Sequence, residues 1–176
     1  MSQVAERILW AVDLLDVQPG DHVIEIGGGA GIAASLIVEN LDRGTFTGLD
    51  RSAAMTAQAT KRNQAAVQSR KATFVAAPVD GADFGGKEYD KIFLVNVNLH
   101  LHDAAGSFNI IRSWLAPGGT LVAVSHPPAE QKALDYAVQM PAILKDSGFD
   151  RVDVVSKRLS ARLATAVIAS APECRW

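Results

Sequence analysis

Apolar positions along the chain fall into two alternating periods. Runs dense in Val, Ile, Leu and Phe at 23–26, 45–49, 72–77, 92–95 and 120–124 read as strands of a parallel sheet, because strands covered on both faces lose the apolar–polar alternation. Helical spacing fills the gaps. Val4, Ile8, Val12 and Leu15 mark a first helix, which Ser2 can cap and which Pro19 and Gly20 stop near Val17. Helices over 32–41 and 52–68 follow, the second capped by Ser52. Another, opened by Asp103, carries Phe108, Ile111 and Leu115 on one face, and 130–147 reads as a helix that Pro141 kinks or splits. The last apolar stretches, 152–156 and 163–169, form a hairpin. Strand–helix alternation predicts an α/β fold: a doubly wound, mostly parallel seven-stranded sheet with helices on both faces and a C-terminal antiparallel hairpin. The chain reads as one domain over 1–176, with an N-terminal helix in 1–18, a core over 19–170 and a tail over 171–176.

Composition narrows the partners more than the fold. The 176 residues are 48% hydrophobic and 20% charged, with a net charge of −2, the profile of a soluble globular domain. There is no broad basic face of the kind duplex nucleic acid demands, which disfavours such a substrate. The single cysteine, Cys174, has no partner for a disulfide or a thiolate metal site, which fits a reducing, cytoplasmic setting. His22, His100, His102 and His126 are scattered, and no third ligand is spaced to join the His100/His102 pair, so no metal site is expected. No apolar stretch approaches 18 residues, so no membrane span is expected.

Candidate chemistry begins at V-I-E-I-G-G-G-A-G-I-A-A, residues 23–34. A strand breaking into glycines and then a helix lets backbone approach a nucleotide closely, with helix N–H groups directed at the ligand. The dinucleotide rule G-x-G-x-x-G, started at Gly27, requires glycine at position 32, where Ile32 stands. Here Gly27, Gly29 and Gly31 give G-x-G-x-G, with Glu25 two residues ahead. This resembles the first motif of class I S-adenosylmethionine-dependent methyltransferases. Asp50 closes the second strand about 20 residues on, where an acid can accept both ribose hydroxyl protons.

Later segments resemble the same family in order. Y-D-K-I-F-L-V-N at 89–96 is similar to its fourth motif, and L-A-P-G-G at 115–119 to its turn before the fifth strand. The resemblance implies S-adenosylmethionine as cofactor and S-adenosylhomocysteine as product, with Glu25 toward the methionine portion and Arg51, Ser52 and Met55 near adenine. At the adenine edge Pro78 takes the family's aspartate position, which leaves the Val79 backbone or Asp80 for recognition there. Asn96 ends the central strand at the carboxyl edge where α/β sheets bind ligands, so 96–102 should line the reaction site. The segment lacks the N-P-P-Y or D-P-P-Y sequence of nucleic-acid amino-group methylases. If the acceptor must lose a proton, His100 is the first candidate base, with His102 and His126 behind it. The favoured reading is transfer of a methyl group to an O, N or C atom of a small-molecule acceptor. A non-catalytic S-adenosylmethionine-binding scaffold and a nicotinamide-dependent oxidoreductase remain as alternatives, and a homo-oligomer would help close a site that no inserted lid covers.

Overall fold

The computed structural model describes residues 4–99 and 104–173. Ser2, His100, His102, Asp103 and Cys174 therefore lie outside the described residues. Seven strands form one sheet: β1 (His22–Ile26), β2 (Thr45–Asp50), β3 (Ala72–Ala76), β4 (Tyr89–Val95), β5 (Leu115–Ser125), β6 (Arg151–Leu159) and β7 (Arg162–Ser170). Their order is β3-β2-β1-β4-β5-β7-β6. The first five run parallel, and β7 lies antiparallel to both β5 and β6. This is the expected doubly wound sheet with its closing hairpin.

Alternation along the strands sorts the core into two layers. Ile24, Ile26, Ile92, Leu94, Leu121 and Ala123 pack with Phe108 and Ile111 of α5 (Ala104–Ser113) and with Tyr136, Met140 and Leu144 of α6 (Glu130–Asp146). Val23, Phe46, Phe93, Val122 and Val124 face the other way. They pack with Trp10, Ala11 and Leu15 of α1 (Glu6–Leu15) and with Ala33, Ala34 and Ile37 of α2 (Ile32–Ile37). Helices on both faces thus bury the central strands β2, β1, β4 and β5 from both sides, which explains their apolar runs.

Several boundaries differ from those predicted, each for a local reason. The first helix starts at Glu6 with Ala5 as its N-cap and ends on Asp16 in a left-handed conformation. The helix expected over 32–41 is only six residues long, and the Asn40 side chain donates back to the Leu36 carbonyl at 3.4 Å. The helix expected over 52–68 is two, α3 (Ala53–Arg62) and α4 (Gln64–Gln68), divided at Asn63. The Asn63 amide is buried and donates to Gly31 O and Ala59 O, both at 3.0 Å, so it turns inward where a helical position would point along its own face. Pro141 removes the N–H that would bond Ala137, yet α6 remains one element, anchored by the buried Tyr136, Met140 and Leu144. β5 begins at Leu115, earlier than Thr120, because Leu115 pairs with Tyr89 before a register shift carries the chain around Ala116–Gly119. The final turn shrinks to Ser160 and Ala161, both with positive φ. Leu159 therefore pairs directly with Arg162, as in a two-residue hairpin.

Candidate functional site

The glycine turn after β1 is tied to the end of β2. Gly27 N donates to Leu49 O at 2.7 Å and Gly28 N to the same oxygen at 3.4 Å. Gly29 N donates to Asp50 Oδ2 at 2.9 Å, and Gly31 N to Gly28 O at 3.0 Å. These four N–H groups are thus consumed inside the protein. Its glycines serve close approach. Gly27 has φ +71°, and a Cβ there would stand 2.5 Å from Val97 Cγ2. Gly31, also at φ +71°, would bring a Cβ to 2.7 Å from Asn63 Nδ2 and 2.8 Å from Ala59 Cβ. Only glycine meets both demands, a left-handed backbone and a neighbour in contact.

Asp50 stands where β2 ends, with Oδ2 held by Gly29 N and Oδ1 by Ser52 N at 2.8 Å. Ser52 Oγ in turn caps α3 by accepting from Met55 N at 3.3 Å. Two backbone donors therefore fix the carboxylate, and each oxygen retains a further lone pair. Asp50 lines a cleft of about 650 Å³ at the carboxyl edge of the sheet, together with Gly27, Arg51, Pro78, Val79, Asp80 and Asn96. Of the sequence-derived candidates, Gly27, Asp50, Arg51, Pro78, Val79, Asp80 and Asn96 are thus gathered around one space, while Ser52 and Met55 are not among its lining. Glu25, Gly29 and Gly31 do not line it, and His100 lies outside the described residues.

Asn96 reaches the cleft in a left-handed conformation, φ 56°, but its side chain clasps the next strand. Its Oδ1 accepts from His126 N at 2.6 Å and its Nδ2 donates to His126 O at 3.4 Å. The amide joins the ends of β4 and β5. A second hollow of about 290 Å³ opens between the end of β5 and α6, lined by Ser125, Pro127, Lys132, Tyr136, Met140 and neighbours. Asn98 borders both spaces. The segment expected to line the site contributes Asn96, Val97, Asn98 and Leu99 to the cleft, whereas sequence reasoning missed the Asn63 anchor and this hollow; an asparagine inside an alanine-rich helical stretch was the available signal for Asn63.

Two buried groups are electrostatically unusual. Glu25 is 6% exposed, and burial, reinforced by the nearby Asp50 charge, pushes its carboxyl up to about 8. Its Oε2 has no hydrogen-bond partner. A Cβ on Gly28 would stand 2.9 Å from that oxygen, so the carboxyl group itself fills the place that a side chain at Gly28 would need. His126 is also buried, with Nε2 unpartnered. Desolvation and the charges of Arg162 and Arg7 hold its pKa below the usual value, against smaller raising effects from the Leu159 backbone and Glu6. These neighbours belong to α1 and the final hairpin, and His126 lines neither hollow. Among the described residues no group of three His, Cys, Asp or Glu could hold a metal ion.

Residues 24–121 match the model of a methyltransferase domain. The chain belongs to the class I S-adenosylmethionine-dependent methyltransferase family. YdaC of Bacillus subtilis, a methyltransferase by name, is 25% identical over 93% of this chain and 90% of its own length. Other curated relatives are much longer proteins, of which this chain spans between 7% and 28%. A solved complex of the Haloferax volcanii Trm112 methyltransferase activator with a methyltransferase matches at TM-score 0.79 and 16% identity, covering 96% of this chain and 89% of that one. A Haemonchus contortus phosphoethanolamine N-methyltransferase, solved with phosphomonomethylethanolamine and S-adenosylhomocysteine, matches at TM-score 0.76 and 16% identity, over 95% of this chain and 52% of that one. At such identities the structural likeness concerns the fold. For this methyltransferase the donor set itself suits a cationic nucleoside, with a fixed carboxylate at the cleft and a second, unpartnered one beneath the glycine turn. No helix among the described residues is long and apolar enough to cross a membrane.

Proposed function

We propose that this methyltransferase moves the sulfonium methyl of S-adenosylmethionine to an O, N or C nucleophile of a small-molecule acceptor by in-line displacement, releasing S-adenosylhomocysteine. The observation that carries this reading is Asp50. Backbone donors hold both of its oxygens at the cleft, so its remaining lone pairs are oriented before a ribose diol arrives. Gly27 and Val97 border the same cleft, so the nucleoside meets glycine backbone at the turn with Val97 beside it. Arg51, Pro78 and Val79 border the same cleft and make the adenine side; with no N–H on Pro78, recognition there falls to Asp80 or the backbone.

Glu25 serves the other end of the cofactor. A carboxyl with a pKa near 8 is largely protonated at neutral pH, and an ammonium group brought beside it favours its ionised form. Binding then expels a proton from Glu25. S-adenosylmethionine supplies a methyl group already activated as an electrophile, so the chain's main task is alignment. The hollow between β5 and α6 is the place for the acceptor, since Asn98 borders it and the cofactor cleft alike. His100 stays the candidate for a base where the acceptor must lose a proton.

Titration calorimetry with S-adenosylmethionine, S-adenosylhomocysteine and NADH tests the reading. Both sulfur nucleosides should bind, with NADH silent. Binding of NADH alone would overturn it in favour of an oxidoreductase. Nucleoside binding without turnover across an acceptor panel would replace methyl transfer with a scaffold role.

A further inference from the structure

We propose that the free edge of β6 pairs with the same edge of a second copy of this chain, giving a two-fold dimer with one continuous sheet. β6 is the outermost strand, its nine residues paired with β7 without a register shift. Residues 153–158 are all exposed. Exposed strand edges are normally blunted by a bulge, a proline, charges of one sign or a covering element; β6 contains no proline, its ladder has no bulge, and its charges, Arg151, Asp153, Lys157 and Arg158, are of both signs. Apolar surface collects beside it. Of the five large hydrophobic residues exposed among the described residues, Val154 (43%) and Val155 (40%) lie on β6, and Leu134 and Val138 on α6. Glu130 of α6 holds Arg158 of β6 at 2.9 Å. Leu134 and Val138 continue the Glu130 stripe at one and two further helical steps, so they flank the same edge.

The hairpin fixes which backbone groups point outward. In a two-residue hairpin the residues flanking the loop exchange both backbone hydrogen bonds, so Leu159, Lys157, Val155 and Asp153 direct their N–H and C=O groups toward β7. Val152, Val154, Ser156 and Arg158 direct theirs to the free edge. The Ser156–Thr165 hydroxyl contact at 3.2 Å agrees, since side chains of non-hydrogen-bonded pairs lie closest. A two-fold axis at Val155 lets Val154 exchange backbone bonds with Ser156 of the second copy, and the reverse. It also sets Val155 against its own copy and Asp153 against Lys157, twice, at close non-hydrogen-bonded positions. Other registers lose this match. An axis at Val154 opposes Arg151 and Lys157, and an axis at Asp153 or Lys157 opposes identical charges. An axis at Val152 also opposes Arg151 and Asp153 but pairs only 151–153 within the strand, so charge complementarity over the full length of β6 selects a second copy as the occupant, with the axis at Val155.

Sedimentation equilibrium of the full chain over a concentration series tests this independently of any cofactor. The wild type should reach twice the monomer mass. Asp153→Lys and Lys157→Asp should each raise the dimer dissociation constant by roughly tenfold or more, because like charges then meet across the axis. The double variant Asp153→Lys/Lys157→Asp should restore it. All these side chains are exposed, and circular dichroism checks that the variants fold. A wild type monomeric at every concentration would overturn the proposal and leave the edge to a foreign strand, as would a dimer indifferent to the charge swaps.

Discussion

Glu25 and His126 make an instructive pair. Each sits near the carboxyl edge of the sheet, each is buried, and each has an oxygen or nitrogen with no partner. Their surroundings separate them. Glu25 lies under a turn that has no side chain at Gly28 and beside Asp50, which lines the cleft. His126 faces Arg7 of α1 and Arg162 of the hairpin, and its backbone is clasped by Asn96. A buried unsatisfied group is a candidate for a ligand when it sits beside the charged residue of a cleft, and otherwise records packing.

The largest test of that distinction is at the cleft. Asp50→Ala should weaken S-adenosylmethionine binding by about a hundredfold, the loss of two hydrogen bonds to a charged acceptor, while circular dichroism stays unchanged. Calorimetry reads the outcome, and unaltered affinity in a folded variant would remove the ribose role. Gly31→Ala probes the turn's scaffold. Left-handed backbone and contact with Asn63 and Ala59 should make it less stable by about 2 kcal/mol in denaturant melts.

Proton linkage sharpens the comparison further, because the two groups act in opposite directions. Glu25 keeps its proton to about pH 8 in the fold against a usual 4.5, so the native chain binds more protons in that window and stability falls as pH rises through it. Glu25→Gln should flatten this slope, by up to a few kcal/mol across the window. It should also abolish the release of up to about one proton on S-adenosylmethionine binding at pH 7, measured by calorimetry in buffers of differing ionisation heat. His126 has a pKa below 6.5, so the unfolded chain binds more protons and stability falls as pH drops through 6.5. His126→Phe should give the smallest effect, a reduced loss of stability in acid with cofactor affinity unchanged. A large change in affinity would return His126 to the site.

Sequence alone determined the sheet, its parallel sense and the kind of ligand edge it carries. Periods of apolar residues are local quantities, and the glycines and Asp50 act through backbone conformation at a strand end, which a sequence motif can encode. Gly27 and Gly31 were legible for that reason. Tertiary structure decided what each polar group has left to offer. The glycine N–H groups proved to be spent on Leu49, Asp50 and one another, and the Asn96 amide on His126. Nor could periodicity show that Asn63 turns inward to Gly31 O, dividing the second long helix. The final hairpin shows the same limit. Ser160 and Ala161 carry no turn signature, yet ladder pairing on both sides forces them to positive φ. Hydrogen-bond partners and burial depend on residues distant in the chain, so they are settled only when the sheet has brought those residues together.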